Sequence, residues 1–433
     1  MIKAFLMRTI TTLMTSPKLR QSARQTRAMV RQLKGARPVV HYFHEAADPY
    51  SHLTAQALEQ FAARYDVDLS CHLVPAPIEA AAPEREKLAG WGVRDAALLA
   101  SVNGLDFPTT ASLPSDEMTD LANRALTAAL ERGTFLADAV KIGAALWSND
   151  STALSGLPLA TDEASMAQQT KGQALRLSLG HYLGATFQFE GEWYWGIDRL
   201  HFLESRLSQQ GLDRIGGAPL YPAHEIALGP VPKAKGKTAK PQPVLHAFIS
   251  FRSPYSYICL PRAKALADHY GAELRLRFIM PMVMRGLPVP RAKQYYITMD
   301  TKREAERVGL RYGTMVDPVG LGVERGLAVL HHAITEGHGY DFALSFTQGA
   351  FADGIDATTA AGLAQMAKRA GVSDATVKAA LADESWRTMA EANREEMFAG
   401  GLWGVPSFRV NDAEPRWGQD RLWAIEQDLI AAL

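Results

Sequence analysis

His41-Tyr-Phe-His-Glu-Ala-Ala-Asp48-Pro49-Tyr50-Ser51 returns further along the chain as His246-Ala-Phe-Ile-Ser-Phe-Arg-Ser253-Pro254-Tyr255-Ser256. The register then holds without a gap from Tyr65 and Tyr270 to Leu73 and Phe278. A second echo closes each half, Trp195-Gly196-Ile197-Asp198-Arg199-Leu200 against Trp417-Gly418-Gln419-Asp420-Arg421-Leu422. Matched ends in matched order imply a duplicated domain. One reactive position differs, because the hydroxyl of Ser253 is a carboxylate at Asp48. The copies can share a fold, but they cannot share that chemistry.

Each repeat reads as the same series of elements. Val39–Phe43 and Val244–Phe248 are short apolar or aromatic runs of strand character. After the Pro-Tyr-Ser comes a helical pattern, carried by Leu53, Ala57 and Phe61 in one copy and by Ile258, Ala265 and Leu266 in the other. Asp68–Val74 and Glu273–Met280 then alternate as strands do, with Leu274, Leu276 and Phe278 on one side. Alanine-rich stretches such as Leu121–Leu130 and Gly326–Ile334 make the middle of each repeat helical. Thr186–Phe189 and Ser407–Val410 read as further strands, followed by a turn, a short strand and a closing helix. The first two strands need a helical crossover and the last two can form a hairpin. A thioredoxin-like α/β sandwich with an inserted helical subdomain, present twice in tandem, satisfies that order.

The expected boundaries are a basic extension over 1–37, a first repeat over 38–210, a linker over 211–242 and a second repeat over 243–433. Pro, Gly and Lys without an apolar period mark the linker as extended and solvated. A chain of 433 residues also exceeds what one core usually serves. Zero formal net charge gives the molecule no general attraction for nucleic acid. Cys71 and Cys259 cannot build a disulfide framework, and with no C-x-x-C there is no dithiol redox centre. A reducing, cytoplasmic setting fits that usage. No run approaches the roughly 20 apolar residues of a membrane span. The extension carries Lys3, Arg8, Lys18, Arg20, Arg24, Arg27, Arg31, Lys34 and Arg37 with no acid before Glu45, and Ile2, Leu6, Ile10 and Leu13 recur at helical spacing. Such an arm suits weak contact with a membrane surface. Packing on the body, or partial disorder, is the commoner outcome.

Ser253 stands where a strand ends and a helix begins, with Pro254 at the first helical position. Capping alone explains both residues. The same geometry, however, offers free N–H groups and a helix dipole to a negative charge. A bound thiol placed there would have its pKa lowered. Gly404-Val405-Pro406-Ser407-Phe408 puts a proline at a strand entrance, a place for a cis bond, which would turn Val405's backbone groups toward an extended peptide. Gln419 and Asp420 open the last helix, and Asp420 alone reads equally well as a helix cap.

Ser253-Pro254-Tyr255-Ser256-Tyr257, Gly404-Val405-Pro406 and Trp417-Gly418-Gln419-Asp420-Arg421-Leu422 together resemble the signatures of the 2-hydroxychromene-2-carboxylate isomerases and kappa-class glutathione transferases. Pro290-Arg291-Ala292-Lys293 through Tyr296 belongs to the same likeness. Those families have the DsbA-type thioredoxin fold and use glutathione. The resemblance implies that Ser253 stabilises the glutathione thiolate and that Val405, ahead of Pro406, pairs with the cysteinyl backbone. It further implies that Gln419 and Asp420 hold the γ-glutamyl end and that Lys293 meets a carboxylate of glutathione or of a small aromatic or hydrophobic substrate. The implied activity is a glutathione-dependent isomerisation by thiolate addition and elimination. A kappa-like transferase and a non-catalytic binding or scaffold protein are the alternatives. Two positions differ from the family pattern, Ser250 where an acid is usual and Glu324-Arg325 where Asn-Thr is common.

The first repeat departs further, with Gly184-Ala185-Thr186-Phe187 in place of Gly-Val-Pro-Ser-Phe, and Asp48 would repel a thiolate. It is expected to be a degenerate copy that packs against the second as an intramolecular pseudo-dimer. His331, His332 and His338 lack metal-ligand spacing, and Cys259 reads as an inert core thiol. Tyr295, Tyr296 and Trp403 read equally as pocket or core.

Overall fold

The computed structural model describes residues 2–231 and 241–433. The lysine-rich part of the expected linker, 232–240, lies outside them. The chain divides into two compact units. One comprises Met1–Arg20, His224–Val289 and Ile297–Leu433, and the other comprises Gln21–Ala223 with Pro290–Tyr296.

Each unit is built on a mixed four-stranded sheet. In the first repeat the strands are β1 (Val39–His44), β2 (Asp68–Leu73), β3 (Thr186–Phe189) and β4 (Glu192–Trp195), in the spatial order β2-β1-β3-β4. In the second they are β5 (Val244–Ile249), β6 (Glu273–Phe278), β7 (Ser407–Val410) and β8 (Arg416–Trp417), in the order β6-β5-β7-β8. The central strand runs parallel to its first neighbour, with Val39 opposite Asp68 and Val244 opposite Glu273. It runs antiparallel to the third strand, which forms a hairpin with the fourth. The crossover helices are Pro49–Arg64 and Pro254–His269, and the closing helices are Gly196–Gln209 and Leu422–Ala432. This is the tandem thioredoxin-like α/β architecture with a helical insertion in each copy. The insertions run from the helix Glu86–Asn103 to Asp162–Ser178, and from Arg291–Arg307 to Ser385–Ala399.

The cores follow the patterns that build the elements. Leu53, Ala57 and Phe61, one face of the first crossover helix, are fully buried with Tyr42 and Phe187 of the sheet. Ile249, Cys259, Leu266 and Phe278 are buried in the second core. Burial raises the Cys259 thiol pKa, and its sulfur donates to the Ser256 carbonyl at 3.2 Å, so it is a packed thiol rather than a nucleophile. Tyr296 packs with Phe43, Val74 and Trp193 and is therefore core.

Composition misplaces one boundary. Residues 211–223 are not a solvated linker, because Asp213 accepts both arms of the Arg64 guanidinium at 3.1 and 2.9 Å, with both side chains almost fully buried. Leu220 N–H adds a bond to Glu204 at 2.9 Å. These contacts fasten the segment to the first repeat. On the other side, Ala227 N–H donates to Glu426 at 2.6 Å, within the second repeat's unit.

The helical insertion of the second repeat is pinned beside the strand end that matters most. Phe251, two residues before Ser253, stacks on Phe346 with centroids 4.1 Å apart, and both rings lie against Gly326 in the helix Leu321–Thr335. A β-carbon on Gly326 would fall 2.4 Å from Phe346 Cε2 and 2.9 Å from Phe251 Cδ2, so only glycine admits the stacked pair. Gly326→Ala is expected to lower stability by about 1–3 kcal/mol through overpacking. Urea unfolding measures it, and an unchanged midpoint would show that the rings yield freely.

Candidate functional site

The site is assembled where three separated segments of the second repeat meet. β5 ends at Ile249, and a short loop turns the chain into the helix Pro254–His269. Ser253 is its N-cap, with extended dihedrals (φ −93°, ψ 112°), and its hydroxyl accepts the Ser256 N–H at 3.2 Å. The loop is fastened from behind by the Ser256 hydroxyl, which accepts Ser250 N–H at 3.2 Å. Arg252, next to the cap, does not point a free cation at the site, since it forms a forked ion pair with Asp317 at 2.9–3.1 Å.

The second segment is the turn into β7. The Val405–Pro406 bond is cis. The Ser253 hydroxyl donates to the Val405 carbonyl at 3.4 Å, a long contact that costs little to break. Val405 is half-buried, and its N–H has no partner among the described residues. The third segment joins through Gly418 N–H, which donates to Pro406 O at 2.9 Å. Ser253, Val405, Pro406 and the Gly418-Gln419-Asp420 turn are thus brought together in one unit by direct hydrogen bonds.

Gln419 has a different place from the one its motif implies. Its side chain is almost wholly buried, donating to Glu304 at 2.9 Å and accepting from Arg262 at 2.7 Å, while Arg262 also reaches the Gln419 carbonyl at 3.1 Å. Both ends of the amide are committed to the interior, so it positions the turn rather than extending to a ligand. Asp420 remains partly exposed, 3.9 Å from Arg421 Nη1. Lys293 falls in the other unit. It lies in the segment Pro290–Tyr296, which belongs to the first repeat's unit, where its ammonium is 3.4 Å from the Ala81 carbonyl and 6.0 Å from the Tyr182 ring centroid. Burial pulls its pKa down to about 8. It is not among the residues that the second repeat's unit gathers around Ser253. The Arg262–Gln419–Glu304 network and the Arg252–Asp317 pair were invisible in the sequence, because nothing in their spacing relates them.

The first repeat shows what the same geometry becomes without the serine and the proline. Asp48 caps its helix with nearly the dihedrals of Ser253 (φ −95°, ψ 117°), accepting Tyr50 N–H, Ser51 N–H and the Ser51 hydroxyl. Ala185 stands where the second repeat has proline, and so it has an N–H, which donates to Ser51 Oγ at 2.9 Å. Gly184 N–H donates to the Glu45 carboxylate. A β-carbon on Gly184 would lie 2.6 Å from Glu45 Cβ, so the approach requires glycine. The backbone donors that a ligand would use are therefore spent on the protein's own side chains. Burial raises both carboxyl pKa values above the ordinary range, and for Glu45 the nearby Asp48 adds to the effect.

Among the described residues, no group of three or more His, Cys, Asp or Glu could hold a metal ion. Residues 244–430 match the DsbA-like thioredoxin domain family. No curated protein matches the chain. Among solved structures, a 2-hydroxychromene-2-carboxylate isomerase is 20% identical over 43% of this chain and 94% of its own, with a TM-score of 0.37. A probable DsbA oxidoreductase from Streptomyces coelicolor is 22% identical over 44% of this chain and 90% of its own, with a TM-score of 0.34. The cytosolic disulfide reductase DsbM from Pseudomonas aeruginosa with GSH is 17% identical over 43% of this chain and 96% of its own, with a TM-score of 0.33.

The carboxyl pair has a consequence for stability. A carboxyl pKa raised by folding gives stability that is complete below the unfolded value of about 4 and is lost as pH rises through the folded value. Glu45→Gln keeps an acceptor for Gly184 N–H but removes the titration. The thermal midpoint of the variant is expected to fall less than wild type's between about pH 4 and neutrality. Parallel slopes would contradict the assignment.

Proposed function

We propose that this DsbA-like thioredoxin domain of the second repeat binds glutathione and catalyses an isomerisation of the 2-hydroxychromene-2-carboxylate type. When bound, glutathione would supply a thiolate that adds to and then leaves an unsaturated ring system, so that it is returned unchanged. The observation that carries this reading is the Ser253 hydroxyl at a helix N-terminus, held 3.4 Å from the Val405 carbonyl by a bond weak enough to exchange.

The residues fit the group in kind. Ser253 can rotate its proton from Val405 O to a sulfur anion, and the dipole of the helix Pro254–His269 favours negative charge at its N-terminus, at the same point. The unpartnered Val405 N–H and its carbonyl offer a short stretch of strand-like pairing to a peptide backbone. Asp420 supplies a carboxylate for an ammonium such as that of a γ-glutamyl group. Gln419 and Arg262 keep that turn in register from inside.

Ser253→Ala separates catalysis from capping. Losing the cap costs about 1 kcal/mol of stability, which the fold survives. Losing a charge-assisted bond to sulfur raises the bound thiol's pKa by on the order of one unit. Ultraviolet thiolate absorbance of bound glutathione against pH measures the shift, and chromene-carboxylate turnover is expected to fall in parallel. Equal pKa values in the two proteins would reduce Ser253 to a helix cap and leave a binding module without the chemistry.

A further inference from the structure

The two N-terminal helices, Ile2–Met14 and Pro17–Leu33, are turned inside out relative to ordinary surface helices. The first docks by small and polar side chains. Ala4 and Thr15 are buried, Thr11 Oγ1 accepts Met315 N–H at 3.0 Å, Met7 Sδ accepts Asp317 N–H at 3.1 Å, and the Thr12 and Thr314 hydroxyls are 3.0 Å apart. Its opposite face leaves Ile2, Phe5, Leu6, Ile10 and Leu13 in solvent, each more than half exposed.

The second helix, taken by itself, repeats the inversion with arginines. Arg20 pairs with Glu306 at 2.6 Å, Arg24 holds Glu192 by two bonds of 2.7 Å, Arg27 reaches the Glu190 carbonyl at 2.7 Å, and Arg31 pairs with the Glu190 carboxylate. These residues follow one another every three or four positions and so occupy one face. Leu19, Met29, Val30 and Leu33 are exposed away from it, Leu33 by 81%. The cations that composition alone would assign to a solvated face are thus spent on the protein, and the apolar residues are left outside. A water-facing helix gains nothing from that arrangement.

We propose that the first of these helices, Ile2–Met14, lies on an anionic lipid surface with its apolar face in the headgroup boundary, and that the second, taken by itself, is suited to the same surface. Lys3, Lys18 and Lys34 are exposed and make no ion pair among the described residues, and no acid occurs before Glu45. Lysines beside an apolar stripe reach outward to lipid phosphates while their stems follow the acyl boundary. A second copy of the chain is a poorer occupant, because a symmetric contact would set these lysines against one another with no carboxylate on the same helices to balance them. No helix of the described residues is long and apolar enough to cross a membrane, which is consistent with lying in the surface plane.

Sedimentation of the full chain with vesicles tests this, using phosphatidylglycerol mixed with phosphatidylcholine against phosphatidylcholine alone. Binding to the anionic vesicles is expected to be tighter by on the order of a hundredfold, and to weaken with salt. Lys3→Gln and Lys18→Gln, at exposed positions without an ion pair among the described residues, are each expected to weaken it about fivefold. The combined substitution of Ile2, Leu6, Ile10 and Leu13 by serine is expected to abolish binding with an unchanged circular dichroism spectrum. Equal sedimentation of wild type and the serine variant would overturn the proposal. So would a lipid-free dimer, seen by light scattering, that the serine variant converts to monomer.

Discussion

A central strand that ends at the N-terminus of a helix leaves backbone N–H groups that something must satisfy, and both repeats are organised around that requirement. The solution differs by one side chain. Asp48 accepts from Tyr50 N, Ser51 N and the Ser51 hydroxyl, which satisfies the first helix start with a carboxyl of the protein's own. The Ser253 hydroxyl accepts from Ser256 N and keeps a proton to give.

The rest of each site has adjusted to its cap. In the first repeat, alanine in place of proline supplies an N–H to Ser51, and Gly184 lets Glu45 come close enough to take another. In the second, proline removes one donor and the residue before it has an N–H without a partner among the described residues. The Trp417–Leu422 turn is tied in through Gly418 and braced from within by Gln419, Arg262 and Glu304. In the first copy these backbone donors are bonded to the protein's own side chains, and in the second the Val405 N–H has no partner among the described residues.

Local elements were legible because local chemistry dictates them. The alternation of Leu274, Leu276 and Phe278, the apolar face of Leu53, Ala57 and Phe61, the proline at the entrance of β7 and the two N-caps are each set by a few neighbouring residues. Relations between distant residues were not. Lys293 looked like part of the glutathione motif, yet its segment belongs with the first repeat, a consequence of packing that no local pattern encodes. Gln419 is 115 residues from its partner Glu304, and their bond leaves no period in the sequence. Residues 211–223 had a linker's composition, and only the buried Arg64–Asp213 pair shows that they are fastened down. The inversion of the N-terminal helices was hidden for a related reason: an amphipathic pattern specifies two faces without saying which one turns outward.

The claim that one repeat kept a ligand site while the other closed it is tested most directly by calorimetric titration of the full chain with glutathione, alongside Asp420→Ala. The account predicts one glutathione per chain and affinity weakened on the order of tenfold by the substitution, the cost of a lost charge-assisted hydrogen bond. Two equivalents per chain would show that Asp48 and Glu45 do not close the first site. No binding at all would remove glutathione from the second.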